Sequence, residues 1–382
     1  MNEEKMHVLK IKPNDNLFLG DGKRFDKGES TWLESRLMPY PSVFYGSICS
    51  LMLQLNQKRS NRYINDTKDK EDEYDDPRKS LTIRNIYLYD EENRDVYMKA
   101  PLDLFINKYR KCRYGSFKKL EDNVKGSIVN GELNYFLFND KKNFQRVEDL
   151  YIKKSSFENG YFYDREIDFY GIDHFVTKDY KVGIQRKNGM AEEEHLYRID
   201  LTQFNDRKWS YLVEYNIKDE WWKESPSKKL EQGYLKLGGE NKSCKYWDVS
   251  HEEILKKDEE IENYKNLSNR VKIYISAPFI SKKGFLVDFK ESKESKQPIK
   301  VLGVSNKKPL FIGGYDMRAR EHKPMYKAIP EGSIYLLESE AFQTTIKEIK
   351  EYIKDQMRAE NSLIKSGFNQ FEIIPYRMIE ES

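Results

Sequence analysis

The stretch Pro41-Ser42-Val43-Phe44-Tyr45-Gly46-Ser47-Ile48-Cys49-Ser50-Leu51 decides how this chain is read. Ser42 follows a proline, and its hydroxyl is a good acceptor for first-turn amides, so it is the expected N-cap. Phe44, Ile48, Leu51 and Leu55 then recur at helical spacing. The spacing predicts a helix with one apolar face, running to about Leu55.

On its N-terminal side, His7 to Lys12 carries Val8, Leu9 and Ile11, and Pro13 closes the run. That is a strand signature. On its C-terminal side, Leu81 to Asp90 and Asp95 to Ala100 flank Glu91-Glu92-Asn93-Arg94, which predicts a hairpin. A strand, a helix and a hairpin make the first half of a ferredoxin-like unit. Between helix and hairpin, Asn56 to Ser80 is highly polar, with 11 of the 14 residues from Asp66 to Lys79 charged. Such a segment buries little, and a mobile insertion is expected.

The middle of the chain, about 101–240, has short apolar runs such as Tyr135 to Phe138 and Trp209 to Val213, and reads as mostly β with long loops. Further on, Val271-Lys272-Ile273-Tyr274-Ile275 alternates as a half-buried strand does. A second charged loop spans Lys290 to Lys296. Glu331 to Leu337 turns into a strand, Phe342, Ile346, Ile349 and Ile353 mark a helix face, and Phe368 to Ile374 forms a last strand. The class is therefore α+β.

The chain has 382 residues, enough for two domains with proper cores. Charged residues reach 34%, above the ~25% of an average globular protein, which points to solvated loops or a polar interface. The 67 basic and 64 acidic residues nearly cancel, which argues against a purely electrostatic, histone-like nucleic-acid binder. Cys49, Cys112 and Cys244 are odd in number and form no C-x-x-C pair, so neither a disulfide framework nor a zinc site is expected. Met1 to Lys10 has no apolar leader run, and no stretch of about 18 apolar residues occurs. A soluble, cytoplasmic protein without membrane attachment is expected. No Walker motif or G-x-G-x-x-G is present, so no cofactor is expected.

Several short motifs, taken in order, resemble one family. Pro13-Asn14-Asp15-Asn16-Leu17-Phe18 and Gly20-Asp21-Gly22-Lys23-Arg24-Phe25 resemble the opening of the third subunit of the type III-B CRISPR RAMP-module (Cmr) complex. Gly20 stands where the family usually has arginine, and Arg24 where it has proline. Pro41-Ser42-Val43-Phe44-Tyr45-Gly46 resembles its helix opening, and Pro101-Leu102-Asp103 the motif after its hairpin. Lys181-Val182-Gly183-Ile184-Gln185-Arg186, Leu237-Gly238-Gly239-Glu240, Ile275-Ser276-Ala277-Pro278, Gly313-Gly314-Tyr315-Asp316 and Ile329-Pro330-Glu331-Gly332-Ser333 are similar to further family motifs.

The resemblance implies two ferredoxin-like (RRM-like) RAMP units with β-rich insertions and long charged loops. We divide them at 1–200, with a thumb hairpin at about 160–200, and 201–382, with Gly-rich loops. It also implies a non-catalytic subunit that binds the 5′ handle of the guide crRNA. The partners would be the large polymerase-like subunit, a backbone RAMP subunit and other subunits of the effector.

RNA ends and single strands are held by amides, cations and stacking aromatics. Gly238 and Gly239 can form an anion-binding nest flanked by Lys236, Asn241 and Lys242, although a Gly-Gly pair by itself more often marks a turn. Lys181, Arg186 and Lys187 sit on the expected thumb; Lys181 keeps the charge of the usual arginine without its planar fork. Ser42 at the helix start, Tyr45 as a stacking ring, Lys23 and Arg24 in a turn, and Arg318 and Arg320 in a basic loop complete the candidates. No catalytic or metal-binding residue is expected. His174 and His195 are the candidates for the rival reading, a metal-independent repeat-RNA endoribonuclease. The handle-capping subunit of a type III-A complex and an assembly subunit that touches only protein are further alternatives.

Overall fold

The computed structural model describes residues 6–20, 32–33, 35–65, 75–120, 133–163, 165–187, 190–224, 229–240, 242–256, 258–265, 268–291, 293–316 and 321–376, and the side chains of 184–197 lie outside the description. The principal strands are β1 (His7–Pro13), β2 (Leu81–Asp90), β3 (Asp95–Lys99), β4 (Tyr151–Lys153), β5 (Val176–Lys187), β6 (Met190–Phe204), β7 (Trp209–Ile217), β8 (Gln232–Lys236), β9 (Ser243–Asp248), β10 (Arg270–Ile275), β11 (Lys300–Ser305), β12 (Ile334–Glu338) and β13 (Phe371–Pro375). The principal helices are α1 (Pro41–Leu55), α2 (Gln57–Asn65), α3 (Lys154–Tyr163) and α4 (Ile346–Gln356). The α+β class expected from the sequence is observed.

Two sheets carry the molecule. The first has the order β4-β3-β2-β7-β1-β9-β8. The second runs β13-β10-β12-β11 and continues into strands Tyr135–Phe138 and Ser116–Lys119. Both centres follow one plan: β7 lies between β1 and β2 in the first sheet, and β12 lies between β10 and β11 in the second, antiparallel to both neighbours. In the first sheet Leu9 faces Val213 and Ile11 faces Tyr211, which puts β7 beside β1. The crossover from β1 to β2 carries α1, and the crossover from β12 to β13 carries α4.

Leu9, Ile11, Ile83, Tyr211 and Val213 alternate onto one face of the first sheet, where Phe44, Ile48 and Met52 of α1 cover them. The opposite face presents Tyr87, Tyr89, Val96, Met98 and Leu212. These join Phe157 and Tyr161 of α3 and the strands of the second sheet in a single core. The dense aromatics from Phe157 onward thus begin in a helix, inside a region expected to be mostly strand.

Four sequence expectations change. The helix begins two residues early: Tyr40 is its N-cap and Pro41 its first residue, so Ser42 is not the cap. Proline has no amide to leave orphaned and its φ is already helical, which suits the first position. The hairpin forms, with Leu88 opposite Tyr97, yet β3 lies on the outer side of β2 and β7, over 100 residues away, takes the place beside β1.

The insertion is not mobile throughout. Gln57–Asn65 is helical, and Arg59 is buried against Asp75 at 3.3 Å while Arg62 reaches the same carboxylate at 2.6 Å. Residues 66–74 lie outside the description. Finally, Val271 to Ile275 is not half-buried: all five residues are out of water, Lys272 included.

The 200/201 boundary drawn from the sequence falls inside β6, and β7, β8 and β9 all belong to the first sheet. No described helix is long and apolar enough to cross a membrane.

Candidate RNA interface

The Gly-Gly loop follows β8, at the edge of the first sheet. Gly238 has φ +72°, a conformation that favours glycine, and a Cβ there would stand 2.4 Å from the Phe18 carbonyl oxygen. A Cβ on Gly239 would stand 2.6 Å from the Phe18 ring. The Gly239 amide donates to the Phe18 carbonyl at 2.9 Å. The close approach that these glycines permit is therefore made to the chain itself, and one amide of the expected nest is already engaged.

This contact knits four segments together. Leu17 exchanges two 2.8 Å backbone hydrogen bonds with Thr202 at the base of the β5–β6 hairpin. The Ser47 hydroxyl of α1 donates to the Lys236 carbonyl at the end of β8. Lys242 reaches Asp15 at 3.1 Å and the Asn16 side-chain oxygen at 2.9 Å. The Asn16 amide, and then Lys242, hold the Asp15 carboxyl below its usual range. Lys181 of β5 pairs with Glu240 at 2.9 Å.

Lys181, Lys236, Gly238, Gly239 and Lys242 are thus gathered where the hairpin root, the first loop and α1 meet. Both described ion pairs are partly exposed, and such pairs contribute about 0–1 kcal/mol.

The hairpin itself is a long antiparallel ladder, from Val176 opposite Phe204 to Lys187 opposite Met190. Tyr180 is 59% exposed and Val182 52%. The Arg198 guanidinium lies 4.6 Å from the Tyr180 ring centre. This exposed ring with its stacked cation was missed from sequence. Tyr180 and Val182 alternate on one face of the strand, and that alternation is the signal that could have revealed them.

The other candidates are placed apart or outside the description. The Tyr45 hydroxyl donates to the Arg78 carbonyl at 2.8 Å, so the ring is tied to the end of the insertion. Ser42 lies in the first turn of α1, partly buried. Lys23, Arg24, Asn241, Arg318 and Arg320, and the side chains of Arg186, Lys187 and His195, lie outside the described residues. His174 packs among the rings of Tyr97, Tyr170, Phe175 and Trp209. The residue as a whole stays exposed, and partial desolvation by these rings, then nearby Lys208, lowers its basicity.

Among the described residues no cluster of His, Cys, Asp and Glu has the make-up of a metal site. Burial pushes the thiols of Cys49, Cys112 and Cys244 up to about 12, which makes them poor nucleophiles.

Residues 9–375 match the family described as CRISPR-associated protein (Cas_Cmr3). The chain belongs to this family. It is a Cmr3-type subunit of type III-B CRISPR effectors, as its motifs implied. No curated protein matches it. Among solved structures the chain is similar to one in the cryo-EM structure of the type III-B Cmr-beta bound to cognate target RNA, at 16% identity, 95% of this chain, 96% of that one and a TM-score of 0.49. It is also similar to a chain of the same kind of complex bound to cognate target RNA and AMPPnP, at 15% identity, 95% of each chain and a TM-score of 0.48.

Proposed function

We propose that this Cmr3-type subunit binds the 5′ handle of the guide crRNA without catalysing a reaction, and bridges the large polymerase-like subunit to the backbone subunits. The observation that carries this reading is the junction of the β5–β6 hairpin, the Gly238-Gly239 loop and α1. It brings together the segments of Lys181, Lys236 and Lys242, while Tyr180 stands exposed on the other face of β5. Cations in weak surface pairs and a solvent-facing ring are what a single strand needs for backbone attraction and base stacking. His174, exposed beside Tyr170 and Trp209, has no described acid or base hydrogen-bonded to it, which supports the non-catalytic reading.

Two ferredoxin-like units are part of the same reading. Supporting it, β7 lies between β1 and β2 with β9 on the other side of β1, and β12 lies between β10 and β11 with β13 on the other side of β10. The first unit keeps its first crossover helix, α1, and the second unit keeps its second, α4.

The test is UV crosslinking of the co-purified effector, followed by sequencing of the attached RNA. Crosslinks between the handle and residues near Tyr180 and Gly238 are expected. Crosslinks confined to the rest of the guide would overturn the assignment.

A further inference from the structure

The fold covers one face of the first sheet only in part. On β7 and β2 that face carries Leu212, Tyr87 and Tyr89, which are buried in the core shared with the second sheet. Beyond β7 lie β1, β9 and β8. Lys10 stands opposite Leu212, so the side chains of β1 on this face are those of Lys10 and Lys12. The register then fixes their neighbours. Tyr234, Lys245 and Lys12 form one row across the three strands, and Gln232, Trp247 and Lys10 the next. Ile11 and Tyr246 alternate with them and point the other way, into the core beneath α1.

This open face combines a ring with cations. Tyr234 is 59% exposed. The Lys245 ammonium lies 5.8 Å from the centre of its ring. Lys245 is itself exposed, and among the described residues no carboxylate pairs with it. The Lys10 ammonium lies 4.9 Å from the centre of the partly buried Trp247 ring. One carboxylate opposes these charges: Glu91, in the turn after β2, accepts from Lys10 at 3.0 Å and from Lys12 at 2.9 Å. A carboxylate shared by two lysines, with Lys245 unpaired beside them, leaves the face with surplus positive charge.

The chemistry selects the occupant. An acidic peptide would use the lysines and leave the Tyr234 ring with nothing planar against it. A duplex would offer phosphates and keep its bases stacked inside. A single strand supplies phosphates for the lysines and a free base for the ring. The dimensions agree, because neighbouring strands lie about 4.8 Å apart. Ring and cations of the first row therefore fall within about 10 Å, the scale of one nucleotide with its flanking phosphates.

We propose that the open face of β1, β9 and β8 binds single-stranded RNA, with a base stacked on Tyr234 and phosphates held by Lys245 and Lys12. Glu91 competes with phosphate for Lys10 and Lys12 and so limits the affinity. The face lies outside the junction of the Gly-Gly loop, and its RNA chemistry is argued from its own residues. The guide and a second RNA strand brought to the complex offer the same chemistry.

The test uses the full chain and a fluorescein-labelled RNA of about 12 uridines, followed by anisotropy. Tyr234→Ala should weaken binding about tenfold, the loss of one stacked base. Lys245→Gln should weaken it about threefold or more and reduce the salt slope by about one. Glu91→Gln should tighten binding about threefold or more and steepen the salt dependence, because two lysines become free for phosphate. A face that serves only the fold gives no variant that binds more tightly. Circular dichroism of each variant checks that the fold is kept.

Native affinity in all three variants overturns the proposal, and so does weaker binding by Glu91→Gln. A poly-glutamate peptide serves as the acidic control. Peptide binding that is lost in Lys245→Gln, with RNA affinity unmoved by any variant, overturns the proposal in favour of an acidic protein segment. In the assembled complex, the RNA crosslinked at Tyr234 is sequenced, and guide sequence or second-strand sequence there supports the face and names its source. The expected variant effects without handle crosslinks near Tyr180 and Gly238 leave this face standing and the handle reading to fail alone. Handle crosslinks at those residues, with all three variants binding as the native chain does, overturn this face alone.

Discussion

The Lys272 ammonium donates to the Asp103 carboxylate at 2.6 Å, with 9% of one side chain and none of the other exposed. Asp103 belongs to the loop after β3 and Lys272 to the second sheet, so this pair ties the two sheets through the core. The Tyr161 hydroxyl of α3 donates to the other oxygen of the same carboxylate. The aspartate of the Pro101-Leu102-Asp103 motif is thus explained by the fold and not by RNA. Asp103→Ala leaves a buried cation without its partner and should cost about 3–5 kcal/mol. Denaturant unfolding of the purified chain measures this, and a loss under 1 kcal/mol would contradict the arrangement.

Gly238 stands next. At φ +72° and 2.4 Å from the Phe18 oxygen, an added Cβ cannot be accommodated without moving the first loop. Gly238→Ala is expected to destabilise by about 1–3 kcal/mol and to weaken handle binding with it. Urea midpoints and filter binding report the two effects separately. Unchanged stability with lost binding would assign the glycine to direct RNA contact instead.

Asp75 clips the insertion. Arg59 and Arg62 both reach it, and Arg59 also donates to the Glu220 carbonyl at 2.7 Å. Asp75→Ala should release α2, which limited trypsin digestion would reveal as new cleavage at Lys58, Arg59 or Arg62. A digestion pattern identical to that of the native chain would mean that Asp75 does not hold the helix.

Asp90 makes stability depend on acid. Burial raises its pKa, but hydrogen bonds from Lys208 and from the Asn93 side chain and amide outweigh that and leave it below 3.8. Because the folded value is the lower one, its contribution is present above pH 3.8 and is lost as pH falls through the folded value. Asp90→Asn should cost about 1.5–3 kcal/mol at pH 7 and remove this part of the acid dependence. Chemical denaturation at pH 7 and between pH 4 and 2 tests both parts.

Lys99 has the opposite sign. Its folded-state pKa lies below the ordinary 10.5 through desolvation, so the charged form is penalised by folding at neutral pH. Lys99→Met is expected to be more stable than the native chain at pH 7. The difference should shrink as pH rises through the folded value towards 10.5. Melting temperatures between pH 7 and 10 measure it; a less stable variant would mean that the ammonium is well paired in solution.

Local order was legible from the chain. Strand β1, the helix of Phe44, Ile48 and Leu51, the hairpin of Leu88 and Tyr97, and the helix of Ile346, Ile349 and Ile353 all follow from the spacing of apolar side chains. Spacing records which face a segment buries, and a short segment carries that record complete. The motifs around Leu17, Gly238 and Ala277 likewise pointed to the family without any structure.

Tertiary pairing was not legible, because it joins distant segments and leaves no local trace. Nothing near Leu81 says that β7 will come between it and β1. The polar Lys272 reads as the wet side of a strand, and only the Asp103 carboxylate, brought against it by the loop after β3, explains its burial. By sequence alone Gly239 reads as a turn more readily than as a nest, and only the position of Phe18 decides which carbonyl its amide meets.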